Sequence, residues 1–201
     1  MGAAIATGYR WAFAHGADVV AVMAGDAQMD PLDLPALLAP IARGSADYAK
    51  GNRLAHPRVL RLMPLPRWIG NHVLSFLTRI ALGTRQIRDS QCGYTALSRR
   101  AGLAIDLDSI YPRYGYPNDL CARIVETGLA IAQPIVRPIY ATEKSGITVR
   151  TALVRISALI ARLLCRRIER ALRTAAPARL QAPPDGIAVE QGSGRGEWRS
   201  V

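Results

Sequence analysis

A run of apolar residues that ends on a carboxylate is the stretch of this chain best suited to chemistry. Asp18-Val19-Val20-Ala21-Val22-Met23-Ala24 leads into Gly25-Asp26-Ala27-Gln28-Met29-Asp30-Pro31. Six apolar residues in succession from Val19, three of them Val, predict a strand covered on both faces, the kind found in parallel sheets. Ligands of open α/β sheets bind beyond the carboxyl ends of the strands, so Asp26, Gln28 and Asp30 stand where a ligand is expected. Asp30 also suits the N-cap of a helix that starts at Pro31 and stops at Gly44. A second strand end follows Ala46-Asp47-Tyr48-Ala49-Lys50. There Gly51 permits close backbone approach, and Arg53 offers a planar five-donor fork that fits either phosphate oxygens or a solvated basic turn. A third cluster, Arg88-Asp89-Ser90-Gln91-Cys92-Gly93-Tyr94, crowds polar residues, a glycine and an aromatic ahead of a short strand. That is unusual for a mere connection, although Asp and Ser also favour ordinary turns.

Helices must hold these strand ends in place. The pattern predicts one from Ala3 to His15, stopped by Gly16, and an amphipathic one from Leu32 to Arg43. Leu54 to Pro66 carries Pro57, Pro64, Pro66, Arg58 and Arg61 and reads as a mobile loop. Trp68 to Leu82 returns to helical spacing, with Ile69, Val73, Phe76, Leu77 and Ile80 on one face and Gly83 at its end. Asn118 is placed to cap a helix through Thr127, with Asp119 complementing the dipole in its first turn and Gly128 closing it. Pro134 and Pro138 restrict Leu129 to Tyr140 to an edge strand or a strand pair. The chain opens on a helix with no strand before it, so the expectation is an α/β domain lacking its N-terminal part; a fold that starts on a helix is the alternative.

The 201 residues suffice for one domain with a real core. Lys and Arg number 26 against 15 Asp and Glu, and the net charge of +11 points to an anionic partner. Much of the excess lies near the C-terminus, where Arg155, Arg162, Arg166, Arg170 and Arg173 fall on one helical stripe. Ile156, Ile160, Leu163, Leu164 and Ile168 cover much of the other side. A basic amphipathic helix of this kind lies in a membrane interface, or else packs its apolar side on the sheet and leaves its arginines solvated. A nucleic-acid partner is not expected, because no aromatic-interleaved or zinc pattern accompanies the charge. Cys92, Cys121 and Cys165 are far apart and odd in number, which suits a reducing cytosol. No leader is expected from Met1 to Thr7, and no apolar run approaches the roughly 20 residues of a membrane span. The organisation expected is 1–146 for the partial domain, 147–173 for the basic helix and 174–201 for a disordered tail rich in Pro and Gly.

Four ordered motifs carry a resemblance. Gly2-Ala3-Ala4 with Gly8-Tyr9, then Val22 to Pro31, then Lys50-Gly51-Asn52-Arg53, then Asp89-Ser90-Gln91-Cys92-Gly93-Tyr94, resemble those of family 2 glycosyltransferases. Within the family they are most similar to the branch of dolichyl-phosphate mannose synthase and the bacterial polyprenyl-phosphate glycosyltransferases. The resemblance runs from about Gly2 to Ser145.

What the resemblance implies is a GT-A fold, a Rossmann-like and mainly parallel sheet flanked by helices. Such a domain transfers a sugar from a nucleotide-sugar donor with inversion, using Mg²⁺ or Mn²⁺. The family's Asp-x-Asp motif holds the metal; here Ala24 replaces the first acid, leaving Asp26 and Gln28 as ligands. A hard divalent cation accepts oxygen ligands and keeps waters, so one carboxylate, one amide oxygen and a diphosphate still complete a site. The resemblance also implies that Asp26, Arg53 and Lys144, in Glu143-Lys144-Ser145-Gly146, hold phosphate, that Asp119 is the base toward a hydroxyl acceptor, and that Asp89 lines the sugar and acceptor site. A lipid-phosphate acceptor is already anionic and needs little base help. The enzyme is then expected on the cytoplasmic side, peripheral to the inner face of the membrane. Without the front of the domain that holds base and ribose, the chain is expected to be a poor catalyst; the alternative is an inactive scaffold at the membrane.

Overall fold

The computed structural model describes residues 1–113, 115–140 and 149–175. Lys144, the proposed boundary at 146 and the tail from 176 lie outside the described residues. Four strands form one sheet in the order β1 (Val19–Val22), β3 (Thr95–Ser98), β2 (Tyr48–Lys50), β4 (Ile131–Ala132). β3 is antiparallel to both β1 and β2, while β2 and β4 are parallel. β1, β2 and β4 therefore share a direction and β3 alone runs against them. The α/β class expected from sequence is present, as a mixed sheet.

Burial follows position in that order. Every residue of β2 and β3 is buried, whereas β1, at one end of the described sheet, has half-buried valines and an exposed Ala21. The expectation that Val19–Val22 is covered on both faces is corrected: with a neighbour on one side only, apolar content does not become double burial. β4 is the other edge, as Pro134 and Pro138 require.

Side chains alternate across the pleat, so the sheet feeds two cores. Tyr48 and Leu97 pack with Tyr9 and Phe13 of α1 (Gly2–Ala14), Ala101 of α5 (Arg99–Ala104) and Leu120 and Ile124 of α6 (Tyr116–Glu126). Ala49 and Ala96 face the other way, onto Leu37 and Ile41 of α2 (Leu34–Ala42). Asp30 caps the 3₁₀ turn Pro31–Asp33 ahead of α2, its Oδ1 accepting from Leu32 N at 3.0 Å. The closing glycines Gly16, Gly44, Gly83 and Gly128 all have positive φ. Asn118, expected as a cap, lies inside α6, because Pro117 fits the first turn and lets the helix start at Tyr116.

Gly51 follows β2, and a Cβ there would lie 2.7 Å from Val136 Cγ2 and 3.1 Å from Cys92 Sγ. Its close approach is to the protein's own core. Gly51→Ala is expected to cost about 1–3 kcal/mol by overpacking, measured as a lower urea midpoint at unchanged m-value; an unchanged midpoint would mean the β4 side shifts freely.

The segment expected as a mobile loop is partly helical: α3 (Val59–Leu62) and α4 (Leu65–Leu82) occupy it. Pro64 and Pro66 flank the start of α4, where a missing N–H costs nothing. α4 buries Leu74, Ser75, Thr78 and Ala81 and leaves Ile69, Val73, Phe76, Leu77 and Ile80 exposed. α7 (Val149–Ala175) packs against it and against α6 through Leu159, Ile160 and Leu163. That packing covers the middle of the apolar side of α7, whereas Ile168 and Leu172 further along stay exposed. Arg162 and Arg166 remain exposed.

Candidate active site

Strand pairing brings the three candidate segments to one end of the sheet. Val22, where β1 ends, and Lys50, where β2 ends, both pair with Thr95, where the reversed β3 begins. The turns that follow Val22 and Lys50 and the segment that precedes Thr95 must therefore meet. Between them lies a cavity of about 530 Å³ whose lining includes Asp26, Gln28, Arg53, Gln91, Tyr116 and Arg137. Asp26, Gln28 and Arg53, chosen from sequence, thus share one cleft.

The Asp26 turn is wound tightly. Asp26 Oδ1 accepts from Gln28 N at 3.1 Å, and Ala27 between them has φ 57°, the one positive φ outside glycine among the described residues. That conformation costs a residue with a Cβ about 1 kcal/mol, and such strain collects at ligand-holding turns. Tyr94 Oη donates to Asp30 O at 3.2 Å and ties the turn to β3's entry.

Behind the cavity is a buried charge cluster. Asp89 accepts from Arg53 Nε at 2.9 Å, Arg53 Nη2 at 3.0 Å and Arg53 N at 3.1 Å, and from the backbone N–H groups of Gln91 and Cys92 at 3.2 and 3.1 Å. The Asp89 side chain is fully buried and that of Arg53 is 18% exposed. Burial pushes the Asp89 carboxyl up, but the charge and hydrogen bonds of Arg53, with Lys50 nearby, outweigh it and hold the group below the usual carboxylate range. For Arg53 burial acts downward, and the Asp89 charge more than reverses it, so the guanidinium stays protonated. Lys50 is fully buried and donates from Nζ to Cys92 O. Two cations around one carboxylate leave a net positive charge behind the cavity, which favours an anionic ligand. Arg53 Nη1 donates to Tyr140 Oη at 3.3 Å, and Arg67 lies 5.0 Å from the centre of that ring.

The other two acids are placed elsewhere. Asp89 and Asp119 do not line the cavity. Asp119 is buried, and its Oδ2 accepts from Tyr111 N at 3.0 Å and Arg123 Nε at 2.9 Å. Arg123 also bonds Asp106 O and Ser109, so the pair fastens the loop ahead of α6. Sequence reasoning missed Arg137, whose one signal was a basic residue beside the edge-strand prolines, and Tyr140, which nothing in the sequence singled out.

Among the described residues no group of three or more His, Cys, Asp and Glu could hold a metal ion. An all-protein cage is therefore not what the residues offer. Asp26 and Gln28, with oxygen ligands in an open cleft beside Arg53, fit a hard cation whose shell a diphosphate and waters complete.

No family model matches the chain. The fold is that of GT-A glycosyltransferases. Glucosyl-3-phosphoglycerate synthase from Mycobacterium tuberculosis, solved with Mn²⁺, UDP and glucosyl-3-phosphoglycerate, matches at a TM-score of 0.56 and 23% identity, over 83% of this chain and 54% of that one. The same enzyme with Mn²⁺, UDP-glucose and phosphoglyceric acid matches at 0.55 and 25%, over 81% and 55%. In sequence the chain is 31% identical to an undecaprenyl-phosphate mannosyltransferase of Micrococcus luteus, over 78% of this chain and 65% of that protein. It is 37% identical to a UDP-N-acetylglucosamine–dolichyl-phosphate N-acetylglucosaminyltransferase of Methanococcus voltae, over 50% of this chain and 40% of that protein. In sequence and fold the chain is similar to family 2 glycosyltransferases. It spans between 40% and 65% of the length of these two relatives.

Proposed function

We propose that this chain carries the donor-diphosphate and acceptor machinery of an inverting glycosyltransferase that moves a sugar from a nucleotide sugar to a polyprenyl-phosphate lipid, peripherally at the inner face of the membrane. Asp26 and Gln28 hold Mg²⁺ or Mn²⁺ against the donor diphosphate; when bound, the ion neutralises charge that grows on the leaving oxygens. Arg53 and Arg137 supply the remaining positive charge, and Lys144 is proposed to reach a phosphate. Asp89 positions the Arg53 fork by holding two of its nitrogens. The lipid-linked names of the relatives support the acceptor class.

One observation carries the choice of a phosphate over a hydroxyl. Asp26 is the single acid lining the cavity among the described residues, and it is assigned to the metal. Asp119, the base expected from sequence, is turned to Tyr111 and Arg123. An acceptor that arrives as an anion needs no base, whereas an alcohol does. Incubation of the full chain with radiolabelled UDP-N-acetylglucosamine and Mn²⁺ is expected to give slow label transfer to undecaprenyl phosphate and none to undecaprenol. Equal use of the alcohol would contradict the reading. The second reading, a scaffold without turnover, draws support from Ala24 in place of the first acid, and transfer to neither lipid would favour it.

A further inference from the structure

A second cleft, of about 900 Å³, lies between the C-terminal half of α4, the segment after it and α7, and it shares no lining residue with the cavity of Asp26. Arg79, Arg85, Arg88 and Arg167 line it, together with Phe76 and Ile80. Among the described residues no acid forms a salt bridge with any of the four arginines. Two of them are held in place: Arg79 lies 5.8 Å from the centre of the Phe76 ring, and Arg167 Nη1 donates to Ile80 O at 2.7 Å. Gly83 makes room for the latter, since a Cβ there would lie 2.4 Å from Arg167 Cζ.

Phe76 and Ile80 also belong to a longer apolar stripe. Leu65, Ile69, Val73, Phe76 and Ile80 lie on one side of α4, each between 46% and 58% exposed, opposite buried Leu74, Thr78 and Ala81. Unpaired guanidiniums at one end of an uncovered hydrocarbon face match one kind of partner, an amphiphile with an anionic head. A nucleic acid would engage the arginines and leave the aliphatic side chains in water.

We propose that this cleft and the α4 stripe form a seat for anionic phospholipid, with the phosphate among Arg79, Arg85, Arg88 and Arg167 and the acyl chains along Ile69, Val73 and Phe76. The seat deepens the lipid-acceptor reading, on which it rests, by making α4 a membrane-facing element. It would hold the protein on the bilayer that carries the acceptor.

Flotation of the full chain with phosphatidylcholine vesicles, and with vesicles that also contain phosphatidylglycerol, tests the proposal. The protein should float with the mixed vesicles and stay behind with the neutral ones. The triple variant Arg79→Gln, Arg85→Gln, Arg88→Gln should partition about a hundredfold less, at roughly fivefold per arginine near an anionic surface. Phe76→Ser with Ile80→Ser should weaken binding as well, while Arg162→Gln with Arg166→Gln on α7 should stay within about threefold of the parent, those arginines lying outside the cleft. Full retention by the triple variant, loss by the α7 variant, no binding to mixed vesicles, or tighter binding to single-stranded RNA than to lipid would each overturn it. Titration of the triple variant with UDP and Mn²⁺ keeps the two readings apart: intact nucleotide binding with lost flotation assigns the effect to the lipid seat alone.

Discussion

Replacing Asp89 by Asn lowers stability by about 3 kcal/mol, since removing one partner of a buried ion pair leaves the other uncompensated. For a chain of this size that is roughly 6–12 °C in Tm. The charge removed is fully buried and faces both Arg53 and Lys50, so the variant strands two cations behind the cavity. Asn keeps the volume and an acceptor for the Gln91 and Cys92 N–H groups, so the loss reports charge. The Asp89 carboxyl is held below its unfolded value of about 4. Its contribution is therefore complete above that value and disappears as pH falls through the lower, folded one. Urea unfolding at neutral pH should show the full difference between parent and variant, and the two should converge only in acid. A difference below about 1 kcal/mol at neutral pH, in the range of an exposed pair, would mean the pair is solvated.

Asp26→Asn acts on the ligand and spares the fold. Asp26 is exposed, and an Asn side chain can still accept from Gln28 N, so the melting temperature should not move. The donor complex is another matter. With Ala24 beside it and neutral Gln28 as its companion, Asp26 contributes the whole negative charge that the cavity lining offers a cation. Loss of a residue that merely supports a metal ligand costs about 10–100-fold in affinity, so loss of the charged ligand should reach the upper end of that range. Gln28→Ala removes a neutral oxygen and should cost less.

Much of this arrangement is legible in the sequence because local rules place it. Gly16, Gly44, Gly83 and Gly128 mark helix ends wherever they fall, and Asp30 ahead of Pro31 announces its cap without knowledge of the tertiary fold. Asp26 follows an apolar run and Arg53 a short strand, and a strand end is where an open sheet admits a ligand. The Asp89–Arg53 pair is not legible, because its members are 36 residues apart and meet only when β3 enters the sheet reversed. For Asp119 the position in the first turn of α6 is local, but the direction of its carboxylate is set by Arg123 one turn on and by Tyr111 outside the helix. Periodicity named the apolar face of α4 correctly and could not say what covers it; Leu74, Thr78 and Ala81 pack inward instead. The same limit applies to α7, whose Leu159, Ile160 and Leu163 pack on α4 and α6 while Ile168 stays exposed.

The most direct test of the Asp26, Gln28 and Arg53 cleft is the electron paramagnetic resonance of free Mn²⁺ as UDP is added to the full chain and to Asp26→Asn. The cleft predicts that UDP draws Mn²⁺ onto the parent protein, that EDTA releases both, and that the variant binds the pair on the order of a hundredfold more weakly. Equal Mn²⁺ uptake by parent and variant, or UDP binding indifferent to EDTA, would contradict the account.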